Sequence, residues 1–156
     1  MTDQAGCLAC DLTAGRQQLP GGRIHTGSHL VVEHCVGPLG LGSLIVKPLR
    51  HVTSVAELSD GEATELGPLL RLASEIAGEL TGAEQVYNCL WSHAGGEPVH
   101  IHYLVQPVTR EQMERHGCYG PSLQVAMFTA GTLPSHEAIR EMAERASRLF
   151  ARRLDR

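Results

Sequence analysis

Apolar positions along the chain follow two periods. From Ser59 to Gly82 they recur every three to four residues (Ala63, Leu66, Leu69, Leu70, Ala73, Ile76, Ala77, Leu80), which predicts an amphipathic helix. Ser59 followed by Glu62 has the form of a capping box, and Gly82 supplies a C-terminal stop. Gly67-Pro68 falls inside this pattern and predicts a kink or a detached first turn, because proline lacks an N–H and clashes with the preceding turn. Ser135 caps a second helical pattern whose inward positions are Ile139, Met142, Ala143, Ala146, Leu149 and Phe150. There Glu137, Glu141 and Glu144 precede Arg148, Arg152 and Arg153, an order that complements the helix dipole.

The other apolar runs are short and bounded by Gly or Pro. His29 to Val36, Ser43 to Val46, Gln85 to Trp91 and Val99 to Gln106 predict strands, the first two joined as a hairpin or meander. Thr109 to Pro121 reads as loop, and Leu123 to Phe128 as one more strand. Alternation along Val99 to Gln106 puts His100, His102 and Leu104 on one face and Ile101, Tyr103 and Val105 on the other. With no internal repeat or linker, the pattern predicts an α+β fold, an antiparallel sheet of about five strands carrying two main helices. The 156 residues suit one domain.

Composition narrows the classes. Hydrophobic residues make up 42% and charged residues 19%, the formal net charge is −4, and Lys47 is the single lysine. There is no basic run, so no nucleic-acid footprint is visible. No apolar stretch approaches the ~20 residues of a membrane span, and the first ten residues lack secretory features, so a cytoplasmic protein is expected. Five cysteines, an odd number, argue against a disulfide framework.

Cys7-Leu8-Ala9-Cys10 offers two thiolates at a chelating spacing, but a lone CxxC needs two more ligands. His51 and His100 are the candidates for a closed Cys2His2 site. The competing reading is a pair of plain thiols with unrelated histidines. Cys35 and Cys89 read as small buried hydrophobes, Cys118 as a loop thiol, and Trp91 and Tyr103 as core or pocket wall. His25, His29, His34, His116 and His136 have no partner visible in the sequence.

Gly95-Gly96 and the run Val99-His100-Ile101-His102-Tyr103-Leu104-Val105-Gln106-Pro107 resemble the histidine triad (HIT) superfamily, whose H-x-H-x-H strand closes with a proline seven residues after the first histidine. The upstream segment Val36 to Val52, with Glu57-Leu58 following, is similar to the family's P-x-x-x-G-H-x-L-V-x-P-K-R-H-V … E/D-L stretch. The resemblance spans roughly residues 5–108. It implies a HIT-like domain over 1–108 and a C-terminal extension over 109–156, whose amphipathic helix packs on the same domain. Relatives with an N-terminal CxxC resemble galactose-1-phosphate uridylyltransferase, which implies that Cys7, Cys10, His51 and His100 hold a structural zinc ion. The resemblance further implies that His102 is a nucleophile toward the α-phosphorus of a nucleoside phosphate ester, anhydride or phosphoramidate. It also implies a homodimer.

The chain departs from the pattern at chemistry. Leu104 stands where the family has His or Gln, and a leucine donates nothing. Gly95-Gly96-Glu97-Pro98 replaces a segment that usually offers Gln and Ser/Thr, and Ser43 replaces a histidine. Substitute donors for a phosphate are Ser92, His93, Gln106 and backbone amides at Gly95 and Gly96, while Glu97 is a candidate acid or base. Three functions fit these residues. The first is a HIT-type nucleotide hydrolase or nucleotidyltransferase. The second is an enzyme of small-molecule biosynthesis that uses the same pocket for other chemistry, and the third is a non-catalytic nucleotide-binding module.

Overall fold

Helix α2, Asp60–Thr81, begins as predicted in the computed structural model, which describes residues 4–94 and 96–155. The Ser59 hydroxyl accepts from the Glu62 N–H, the Glu62 carboxylate accepts from the Ser59 N–H, and Gly82 closes the helix at φ 63°. Glu62 is also held by Arg50, with Nε and Nη2 at 2.8 and 2.7 Å from its two oxygens. Pro68 does not split the helix, which runs unbroken from Asp60 to Thr81. Pro68 and Thr64, whose carbonyl the missing N–H would have reached, are both exposed, so water can satisfy that carbonyl.

Strands β1 (Arg23–Thr26), β2 (Leu30–His34), β3 (Leu44–Pro48), β4 (Gln85–Leu90) and β7 (Tyr103–Val108) form one antiparallel sheet in the order β1-β2-β3-β7-β4. A separate hairpin, β5 (His93–Ala94) with β6 (Glu97–Pro98), projects between β4 and β7 in sequence. The fold is therefore α+β with five antiparallel strands, as the patterning predicted. The last strand starts later than expected, at Tyr103 rather than Val99, and it runs through Pro107. Pro107 is tolerated because the β3 ladder ends at Val105, so on that side no ladder bond is lost.

One sheet face carries the main core. Ile24, Leu30, Val32, Leu44, Val46 and Val105 pack against α2 and against α5 (His136–Leu154). All six inward positions assigned to α5 are buried, and Ser135 caps it by accepting from the Ala138 N–H. The C-terminal helix thus belongs to the same core as the sheet.

The opposite face differs most from expectation. Residues 110–130 form two helices, α3 (Arg110–His116) and α4 (Pro121–Ala130), where a loop and a strand were predicted. Thr109 and Gln112 build a capping box for α3, and α4 opens on Pro121 at a first-turn position and ends at Gly131 with φ 66°. Leu123 and Met127, four residues apart, bury one side of α4 against Leu104, Val108, Leu39 and Cys35. In the run Leu123 to Phe128 only Gln124 is polar, and it lies on the buried side, which hides the helical period. At the N-terminus, α1 (Leu8–Thr13) supplies a single short helix capped by Cys7.

Candidate functional site

The CxxC pair straddles the start of α1. Cys7 is the N-cap and Cys10 lies one turn on, so the helix brings both sulfurs to one side. Two observations bind this turn to the sheet. The Lys47 ammonium on β3 donates to the Ala9 carbonyl at 2.9 Å, and it lies 2.6 Å from Glu33 on β2. Both charged side chains are 2% exposed, a buried pair that neither partner could leave without stranding the other.

Cys7, Cys10, His51 and His100 converge so that their four ligand atoms lie within 4.8 Å of one another. Cys10 Sγ is 3.4 Å from Nδ1 of both His51 and His100. Tetrahedral bonds of about 2.3 Å to sulfur and 2.0–2.1 Å to nitrogen require ligand-to-ligand edges of roughly 3.5 Å, so the cluster fits one four-coordinate metal ion. His100 Nε2 lies 3.0 Å from the Pro48 carbonyl. A carbonyl only accepts, so Nε2 carries the proton and Nδ1 presents its lone pair to the cluster. Burial, with Lys47 and His51 adding to it, lowers the His100 pKa to about 4, which keeps the ring neutral as a ligand must be.

His102 is arranged in the opposite sense. Its Nδ1 donates to the His100 carbonyl at 3.1 Å, and the side chain is only partly buried. By the same argument the proton sits on Nδ1, which leaves the Nε2 lone pair unengaged by any described residue.

Of the remaining predicted site residues, two on the same strand are buried in packing. Leu104 is 5% exposed under Leu123 and Met127, and Gln106 is fully buried. Gln106 donates to the Leu39 carbonyl and the Met127 sulfur and accepts from Gln124, so its amide is consumed by α4 and the loop before β3 rather than offered to a substrate. Ser43 is likewise used internally, donating to Leu39 O at 2.7 Å. Ser92 is partly exposed, while His93, Gly96 and Glu97 are exposed on the β5–β6 hairpin. Gly95 lies outside the described residues.

Sequence reasoning missed several contacts. His34 donates from Nδ1 to the Cys35 carbonyl and accepts the Gly42 N–H on Nε2, fixing the turn between β2 and β3. Gly42 has φ 87°, and a Cβ there would stand 2.5 Å from the Thr81 methyl. Trp91, expected as core or pocket wall, is 42% exposed and packs against Phe128 with a ring separation of 6.2 Å and a tilt of 48° between the rings. Two clefts lie elsewhere: one of about 280 Å³ beside Gly21, His136 and Arg140, and one of about 560 Å³ beside His25, Glu65 and Arg153. Among the described residues no helix is long and apolar enough to cross a membrane.

No family model matches the sequence, and no curated protein matches it. Solved structures do match in fold. A Hit-like protein involved in cell-cycle regulation from Bartonella henselae superposes with TM-score 0.71 at 10% identity, covering 96% of this chain and 99% of that one. A hypothetical histidine triad nucleotide-binding protein from Sulfolobus tokodaii gives TM-score 0.70 at 14% identity over 94% and 93% of the two chains. A zinc-bound histidine triad family protein from Mycobacterium smegmatis gives 0.66 at 16% identity over 96% of each.

Proposed function

We propose that this chain, which has the histidine-triad fold, is a nucleotide hydrolase or nucleotidyltransferase that works through a nucleotidyl-histidine at His102. The observation that carries this reading is the His102 hydrogen bond: with Nδ1 held by the His100 carbonyl, Nε2 is oriented as a nucleophile on partly open surface. In the first step an Nε2–phosphorus bond forms as the bond from phosphorus to the leaving group breaks, and the leaving group departs with a proton from solvent. In the second, a water oxygen bonds to phosphorus as the phosphorus–Nε2 bond breaks, the water gives up a proton to solvent, and His102 returns to its starting state. Backbone N–H groups and side chains of the exposed β5–β6 segment, Ser92 and His93 among them, are the donors available to phosphate oxygens.

Cys7, Cys10, His51 and His100 would hold a zinc ion, for which two thiolates and two imidazoles are a common structural set. Through these four residues a bound ion would tie α1 to the loop after β3 and to the strand entry, and so would fix the His100 carbonyl on which His102 rests. We assign the 1–108 segment as the metal-holding and reacting unit and 109–156 as an extension that closes its far face. The substrate is nucleotide-like, and a homodimer acting in the cytoplasm is consistent with this reading.

A second reading has one specific observation in its favour: α4 occupies the face where Leu104 and Gln106 would otherwise meet a phosphate, which suits a pocket that binds without turnover. One experiment separates the two. Adenosine phosphoramidate, a dinucleoside polyphosphate and a sugar nucleotide are offered to wild type and to His102→Ala, with mass spectrometry of acid- and base-quenched samples. Turnover lost in the variant, with an adduct on wild type, is the expected result. Equal inertness of the two proteins with no adduct rejects nucleotidyl transfer.

A further inference from the structure

Strands β4 and β7 pair with Tyr87 opposite Gln106, Cys89 opposite Leu104 and, as the last rung, Leu90 opposite Tyr103. Opposed residues on an antiparallel pair point to the same side. Tyr87, Cys89 and Leu104 accordingly share the second core cluster under α4. One residue past the last rung on each strand stand Trp91 and His102. Continued by one residue beyond the ladder, that row would next hold the chain's single tryptophan and the proposed nucleophile.

Helix α4 follows the same row at its own spacing. Gly120, Gln124 and Phe128, four residues apart, meet Tyr87, Cys89 and Trp91, two residues apart. The Gly120 N–H donates to the Tyr87 hydroxyl at 2.9 Å, Gln124 donates to Cys89 at 2.9 Å, and Phe128 packs against Trp91. The first two contacts are polar anchors that fix α4 in register. The third is an aromatic pair left open, with Trp91 42% and Phe128 53% exposed. An aromatic pair fixed from behind, exposed in front and one step past the ladder whose other strand leads back to His102 is suited to grip a flat ring.

We infer that Trp91 and Phe128 form the ring-binding wall of the His102 site and take the planar aromatic part of its substrate. This rests on the reading of His102 as nucleophile. It also addresses the departures at the triad: where Leu104, Glu97 and Pro98 supply no phosphate donor, stacking on a ring supplies affinity that does not depend on the phosphate. A ring could enter as the base of a nucleotide or as an aryl leaving group, and both offer the same π-face to the wall.

The lone tryptophan reports on its own site. Emission of Trp91 is followed in the full-length protein, wild type and His102→Ala, while adenosine 5′-monophosphate, phenyl phosphate and ribose 5-phosphate are titrated in turn. Saturable quenching by at least one ring-bearing probe and none by ribose 5-phosphate is expected. The first probe marks the base and the second an aryl leaving group. Phe128→Ala should weaken the responding probe about tenfold, in the range of single base–aromatic contacts. Trp91→Leu, followed by calorimetry, should do the same. Absence of quenching by both ring-bearing probes, equal binding of ribose 5-phosphate, or unchanged affinity in both variants would overturn the inference. Ring binding by both proteins with no turnover and no adduct in wild type sinks the nucleophile reading and leaves the wall intact. Turnover without ring-dependent quenching does the reverse.

Discussion

His100 and His102 stand two residues apart and are held in opposite tautomers. His100 donates from Nε2 to the Pro48 carbonyl and turns Nδ1 inward to Cys10, while His102 donates from Nδ1 to the His100 carbonyl and leaves Nε2 outward. The first belongs to an end of the molecule where every predicted ligand converges. The second belongs to an end where Leu104 and Gln106 have been absorbed into packing under α4. The difference teaches that a metal centre and a reacting centre make different demands on one strand. Four ligands must meet at a point or none is useful, whereas a nucleophile needs only one fixed nitrogen and can keep it while its surroundings change.

The largest effect is expected from attacking the metal end. Cys10→Ala, or zinc removal by a chelator, should lower the melting temperature by ~10 °C or more, because metal binding is folding free energy in such sites. Calorimetry with and without chelator checks this, and a melting temperature indifferent to both would remove the metal from the account. Lys47→Met comes next. It strands the buried Glu33 carboxylate at a cost of about 3–5 kcal/mol, and chemical denaturation should show most of that loss recovered in Lys47→Met with Glu33→Gln.

The reacting end should respond less. Leu104→His would place a third histidine on the strand of His100 and His102, but its imidazole would lie buried beside Leu123 and Met127. We expect a loss of about 1–3 kcal/mol, the cost of an unsatisfied buried polar group, and no gain in turnover. A variant of unchanged stability with higher activity would show that α4 does not occupy that face in solution.

The smallest effect concerns pH. Burial lowers the His34 pKa from its ordinary 6.5, against a smaller raising effect from the Cys35 carbonyl. Below 6.5 the unfolded chain therefore takes up a proton that the folded protein refuses. The stability this neutral ring contributes is complete above 6.5 and drains away as the pH falls from there toward the folded value. Urea midpoints measured downward from pH 7.5 should decline, less steeply in His34→Gln.

How much of this was legible in the sequence follows the same division. The capping boxes and periodicity of α2 and α5 are local signals that tertiary packing did not override. The four metal ligands could be gathered because Cys and His at motif spacing are few. Helix α4 was misread as a strand because apolar residues lie on most of its sides, and only the first-turn Pro121 and Gly131 carried its helical signal, as the Thr109–Gln112 cap did for α3. The burial of Gln106 and the exposure of Trp91 escaped the sequence for one reason. Whether a side chain faces solvent depends on what covers the sheet, and α4, the element that buries the one and leaves the other open, was itself misassigned.

The most direct test is site-resolved imidazole nitrogen-15 NMR of the zinc-loaded protein at neutral pH. The account predicts that His100 is protonated on Nε2 with Nδ1 bound to metal, and that His102 is protonated on Nδ1 with Nε2 bare. The same tautomer at both positions, or a metal-bound Nε2 on His102, would contradict it.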